Sequence, residues 1–258
     1  DHQKFTTIAA PMASTVPIQA YAWVPVIPAA QKQLAEAAVQ HEDMGIFTIW
    51  ERNARGEKIS AAGRVNYYPI YAIEPLDSNI MRLGFDLGSE PQWRAALEHA
   101  ARTGLVTATD PASLFEDPDQ AHDLLIIQPV FADDSPDRDS KSGNGPDQNL
   151  RGFALGIMRP QAIFDGALRR YGHEKSLVTT ELLDLQPKSE PVLLATYPPN
   201  LAGNHLVAQP SISQQIYPLF IFGRTLAIVS YPSSLFHILH PLWMGWLAGI
   251  TGKFAGRQ

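Results

Sequence analysis

The sequence predicts an α+β protein, with an N-terminal helical segment followed by two mainly antiparallel sheet-plus-helix units. The main observation is an order of elements that occurs twice. Strand, strand, helix and further strands run over residues 46–131 and again over residues 151–231. The strand stretches are short and rich in β-branched and aromatic residues, as a pleated, half-buried surface prefers. Each unit holds one stretch with helical spacing, at residues 91–102 and 161–171. Runs of this kind pack as a helix against a sheet around one core. The expected divisions are 1–45 as a helical stalk, 46–149 as a first unit, 150–234 as a second, and 235–258 as a C-terminal helix.

Composition narrows the function classes. The chain has 258 residues, 45% of them hydrophobic and 18% charged, which is enough for a sizeable core. A net charge of −6 without any Lys/Arg cluster argues against a nucleic-acid partner. The absence of cysteine excludes disulfides and thiolate metal sites, and it is compatible with an oxidising compartment. The first residues carry no signal-peptide pattern.

In chain order, Pro11, Pro17, Pro25 and Pro28 break the first 40 residues, because each removes a donor and crowds the preceding turn. An interrupted helix is expected there, then a regular one over 29–39, dense in good helix formers. Residues 46–51 (IFTIWE) read as a strand, 53–57 as a turn, and Lys58-Ile59 as the start of a return strand. The helix at 91–102 has Ser89 as expected N-cap and Gly104 as stop, with Trp93, Leu97 and Ala100 on one buried face. Short strands follow at 105–109 and 123–131. The acidic, Ser/Gly/Pro-rich stretch 133–149 reads as a mobile loop, without the spacing of a calcium loop. Strands are expected at 151–158, 176–185 and 191–197, and a hairpin over 215–231 turning near Gly223. Residues 235–252 carry no formal charge. They read either as the beginning of a transmembrane helix or as an amphipathic helix on the last sheet.

Residues 67–104 are the centre of the chain. Tyr67 to Ile73 suits a strand, and Pro75, Asp77, Ser78 and Asn79 make a turn. Residues 82–87 then alternate, with Leu83, Phe85 and Leu87 on one face and Arg82, Gly84 and Asp86 on the other. Glycines at 84 and 88 flank Asp86 and leave room beside its carboxylate, as a small N–H-bearing molecule would need. The competing reading is a solvated carboxylate, or one that caps the following helix.

This stretch carries a resemblance. Tyr68-Pro69-Ile70, Ile73-Glu74-Pro75, Asn79, the run Leu83-Gly84-Phe85-Asp86-Leu87, Ser89, Arg94, Ala95-Ala96-Leu97, Ala100 and Thr103-Gly104 resemble the core signature of the CHASE domain. The likeness extends to Trp23-Val24-Pro25, Thr109-Asp110-Pro111, Leu114, Gln128-Pro129-Val130-Phe131 and Leu150-Arg151-Gly152-Phe153, and is weakest after about Leu168. It implies an extracytoplasmic sensor of bacterial receptors, related to the sensors of plant cytokinin receptor kinases. It also implies two PAS-like subdomains, the distal one holding a small ligand. By this likeness Asp86 matches a carboxylate that holds an adenine ring. The main chain around Ala108 and Thr109 becomes a second contact, with Tyr68, Ile70 and Val130 as walls. Leu87-Gly88 departs from the plant sequences, so the ligand class stays open. The likeness further implies a homodimer through the N-terminal helix and a periplasmic location with flanking transmembrane helices. The output would be a cytoplasmic histidine kinase or diguanylate cyclase, in the manner of a two-component system.

No catalytic pattern accompanies this. The sequence has no G-x-S-x-G, no H-E-x-x-H, and no phosphate-binding or dinucleotide glycine loop. No enzyme activity, cofactor or metal is expected. His237 and His240 have no neighbouring carboxylate to complete a metal site. Two rival readings are a periplasmic solute-binding protein and a hydrolase with a dispersed site using His99, His122 or His205.

Overall fold

The computed structural model describes residues 2–15, 18–40, 47–111, 123–132, 149–169, 177–186, 190–198, 214–232 and 236. The chain divides into two compact units, Asp1–Arg159 and Pro160–Gln258.

The first unit opens with α1 (His2–Thr15), β1 (Ile18–Pro25), β2 (Ile27–Pro28) and α2 (Lys32–Gln40). Residues 18–28, expected to be broken helix, are strand instead. The reason is a period of two that the prolines obscured: Ala20, Ala22 and Val24 are buried on one face of β1. A proline cannot sit inside a helix without cost, but it is tolerated at a strand end, where Pro25 lies. The helix expected at 29–39 is present as α2, entered through a 3-10 turn at Ala29–Gln31.

The short strands β3 (Trp50–Arg52), β4 (Lys58–Ser60), β5 (Asn66–Tyr67) and β6 (Ala72–Glu74) follow. β3 pairs with β4, and β5 with β2. Then come α3 (Pro91–Thr103), β7 (Thr107–Ala108), β8 (Leu124–Phe131) and β9 (Leu150–Met158). The main sheet has the order β6-β1-β9-β8-β7, and each neighbouring pair is antiparallel. β9, expected in the second unit, is the central strand of the first sheet. Leu155 lies opposite both Ala22 of β1 and Ile127 of β8. Its inward residues Phe153, Leu155 and Ile157 are buried in the core that α3 covers. Pro129 lies in β8, where it would break a central ladder. β7 pairs only with Ile126 and Ile127, so at Pro129 that side of β8 has no partner in β7.

α3 ends as expected. Gly104 takes the left-handed conformation at φ 70° and donates its N–H to Ala100 O. Trp93, Leu97, Ala100 and Ala101 are buried. At the other end Glu90, not Ser89, is the N-cap, and Pro91 occupies the first turn. The Ser89 hydroxyl donates backward to Asp86 O at 2.6 Å.

The second unit contains α4 (Pro160–Arg169), β10 (Val178–Asp184), β11 (Val192–Tyr197), β12 (Gln215–Ile221) and β13 (Arg224–Pro232). Its antiparallel sheet has the order β11-β10-β13-β12, and α4 packs against β11. The expected hairpin turns at Gly223, φ 74°. Arg224 and Asp184 form a buried ion pair. The stretches 133–148 and 237–258, read from sequence as a loop and a C-terminal helix, lie outside the described residues.

Candidate functional site

The segment 84–87 sits between two others and bonds to both. On one side Trp50 N donates to Gly84 O and Asp86 N to Trp50 O. On the other, Gly84 N donates to Ile70 O, Ile70 N to Phe85 O, and Leu87 N to Tyr68 O. The segment thus acts as a strand through isolated bridges rather than a long ladder, and a 3-10 turn at Ile80–Arg82 precedes it. Phe85 is fully buried, edge-on to Trp50 and Trp93 with ring centroids at 4.9 and 5.8 Å.

This arrangement places the Asp86 side chain inside the protein, with no solvent exposure. Oδ1 accepts from Tyr68 N at 2.8 Å and Gly88 N at 3.0 Å. Oδ2 accepts from Arg64 Nη1 at 3.1 Å, and the same guanidinium pairs with Glu51. Burial pushes the Asp86 carboxyl above its usual range. The Tyr68 and Gly88 bonds and Arg64 pull it down without cancelling that effect, and Glu51 adds to the rise.

The room expected beside the flanking glycines is taken up by the chain itself. Gly84 lies at φ 79°, and a Cβ there would strike the Thr48 carbonyl oxygen. A Cβ at Gly88 would come within 2.7 Å of the Tyr68 ring. These glycines allow backbone and ring to close over Asp86.

Space opens beside Tyr68, and Asp86 does not line it. A cavity of about 220 Å³ lies between α3, the start of β9 and β5. Val26, Leu97, Ala101, Leu150 and Phe153 supply apolar walls together with Tyr68. The Tyr68 and Phe153 rings meet edge to face at 5.9 Å. Asn66 and Glu98 are the amide-bearing and charged residues of the same lining.

Of the predicted contact residues, Tyr68 lines this cavity and also donates its backbone N–H to Asp86. Ile70 is core, and Ala108 is buried in β7. Thr109 is buried, its hydroxyl oxygen accepting from Leu125 N at 3.1 Å. Val130 is half-buried on β8. Sequence reasoning missed Arg64, Glu51, Asn66 and Glu98. Arg64 is 22 positions from Asp86, beyond any local charge pattern. Glu98 does follow the buried Leu97 on α3, at the edge of its apolar face. Of the histidines considered for a dispersed hydrolase site, His99 is exposed and shares a 3.3 Å contact with Arg102, while His122 and His205 lie outside the described residues. Among the described residues, no group of His, Asp and Glu is placed to hold a metal ion.

A model of the CHASE domain matches residues 1–195, which covers all of the first unit and the second as far as Ala195 in β11. The chain belongs to the CHASE-domain family. No curated protein matches it. CHASE domains are extracytoplasmic sensor portions of signalling receptors, and they bind small ligands. In this CHASE domain no helix among the described residues is long and apolar enough to cross a membrane.

Proposed function

We propose that this chain is the ligand-sensing part of a transmembrane signalling receptor, and that its ligand enters the cavity between α3 and β9. The observation that carries the reading is the cavity itself. Within the matched region it combines apolar walls with polar side chains that have no hydrogen-bond partner among the described residues. At about 220 Å³ it is smaller than pockets for drug-sized molecules, roughly 300 Å³ and above, and suits a compact metabolite. An adenine-sized heterocycle is one candidate.

Asp86 serves this site by bracing it. Its carboxylate fixes the Tyr68 backbone, and so the ring that forms one wall. The fold also supplies a route for the signal. Phe153 in the wall belongs to β9, β9 pairs with β1, and α1 packs against β1 and β6. A ligand moves such an element only by differential affinity for two of its positions. In the full receptor the shift would pass through flanking membrane helices to a cytoplasmic kinase or cyclase, with the sensor on the periplasmic side and paired through its N-terminal helix.

The test is a thermal-shift screen of purines, amino acids and other small metabolites, repeated on Ala101→Phe. The added ring fills the cavity from α3. Ligands that raise the melting temperature of the wild type are expected to lose that effect in the variant. Hits that stabilise both proteins equally would move the binding site elsewhere.

A further inference from the structure

The resemblance directs attention to Asp86 as the group that reads a ligand's N–H donors. The geometry points elsewhere, and we infer that in this chain Glu98 and Asn66 make the polar contacts, selecting a compact cationic or N–H-rich ligand with an apolar body. The inference rests on the cavity being the ligand site.

Two sets of observations carry it. The first removes Asp86. Its carboxylate is fully buried, Oδ1 is engaged by the Tyr68 and Gly88 N–H groups, and Oδ2 by Arg64. Arg64 already occupies the place beside the carboxylate that a ligand cation would take, and Glu51 holds Arg64 from the other side. A ligand donor could reach Asp86 only by displacing a guanidinium that two carboxylates hold. The residues lining the cavity do not include Asp86.

The second set concerns what the cavity offers. Glu98 is exposed on α3, one position past the buried Leu97, and belongs to the lining of the cavity. It forms no ion pair or hydrogen bond among the described residues. The charged residues one turn away on α3 are engaged elsewhere: Arg94 Nε donates to Gly88 O and Arg102 contacts His99. Asn66 is half-buried, and its side-chain amide is likewise without a partner among the described residues. A carboxylate accepts and does not donate, while an amide does both. The lining contains no Lys or Arg. The Tyr68 phenol both donates and accepts, so the one charge in the lining, the acceptor-only Glu98, sets its preference for cations and N–H donors over anions.

A matched set of one-ring probes tests this on the full chain: benzamidine, benzamide and benzoate, titrated calorimetrically. Benzamidine is expected to bind about tenfold more tightly than benzoate, the scale of one charge-assisted hydrogen bond. Glu98→Gln, a surface change that keeps the shape, should remove most of that preference. Asn66→Ala should weaken benzamide as well as benzamidine. The inference is overturned if benzoate binds as well as benzamidine, if Glu98→Gln leaves the preference intact, or if no probe binds. Ala101→Phe separates the two levels. Probe binding lost in Ala101→Phe but indifferent to Glu98→Gln refutes the ligand class and leaves the cavity as the site. Benzamidine binding that survives Ala101→Phe removes the cavity itself.

Discussion

Replacing Asp86 by alanine and by asparagine separates what the carboxylate does as an acceptor from what it does as a charge. Alanine leaves the Tyr68 and Gly88 N–H groups without their acceptor. A buried donor stripped of its partner costs about 1–3 kcal/mol. Tyr68 is only partly buried, so we expect Asp86→Ala to lower stability by roughly 3 kcal/mol in total. Asparagine keeps an oxygen where Oδ1 sits and can retain both backbone bonds. It gives up the pairing with Arg64, which remains bonded to Glu51. Its NH2 then faces the Arg64 guanidinium, donor against donor, in a site with no exposure, so Asp86→Asn should cost about 1–2 kcal/mol, still less than alanine. Urea unfolding followed by tryptophan fluorescence reads both values, since Trp50 and Trp93 flank Phe85. The pH dependence adds a second check. The folded-state pKa of Asp86 is raised above its ordinary 3.8. Just above that value the folded chain therefore holds a proton that the unfolded chain has released. The stability from this group is complete below the unfolded value and is lost as pH rises through the folded one. The stability advantage of wild type over Asp86→Asn should then shrink as pH rises through that window. Equal, small effects of both substitutions would refute the bracing role. An asparagine variant as damaged as the alanine one would show that charge, not hydrogen bonding, holds this segment.

Other substitutions test the surrounding structure. Leu97→Ala removes a fully buried side chain at the cavity wall and should cost about 2–5 kcal/mol in the same assay, because the existing hollow enlarges rather than collapses. Gly104→Ala should cost about 1 kcal/mol. Nothing lies within 4 Å of the added methyl, so the loss would come from the left-handed backbone alone. In the second unit, Asp184→Ala leaves the buried Arg224 without that carboxylate, and should lower stability by about 3–5 kcal/mol. The double change Asp184→Leu with Arg224→Met should recover much of it, measured as the melting temperature of the full chain.

Much of the architecture was legible in the sequence, for reasons that are local. The α+β class followed from strand-like runs interrupted by helical stretches. The C-terminal end of α3 followed from Gly104, whose backbone preference acts on the nearest turn, whereas the N-cap expected at Ser89 lies one residue later, at Glu90. The hairpin at Gly223 followed from a glycine between two apolar runs. Family membership was legible in the run from Tyr68 to Gly104, because many residues in order make a pattern that no single motif could. The same local reasoning failed at β1, where prolines masked a period of two. It failed again at β9, whose place depends on pairing with β1 more than 120 positions earlier.

Asp86 shows where local information stops. The residue type, the flanking glycines and the alternation of residues 82–87 were all there to read, and they suggested open room beside the carboxylate, where the structure has close-packed backbone and the Tyr68 ring. Which donors met that carboxylate was settled by Arg64 and Glu51, brought in from segments with no sequence relation to it. The cavity likewise forms where α3, β5 and β9 fail to fill the space between them, and no one segment contains that gap. Local patterns in the chain are enough to read the class of the fold, its turns and its family. The tertiary structure decided which polar groups are spent inside the protein and which remain for a guest, because hydrogen-bond satisfaction is shared among all the segments that meet at a point.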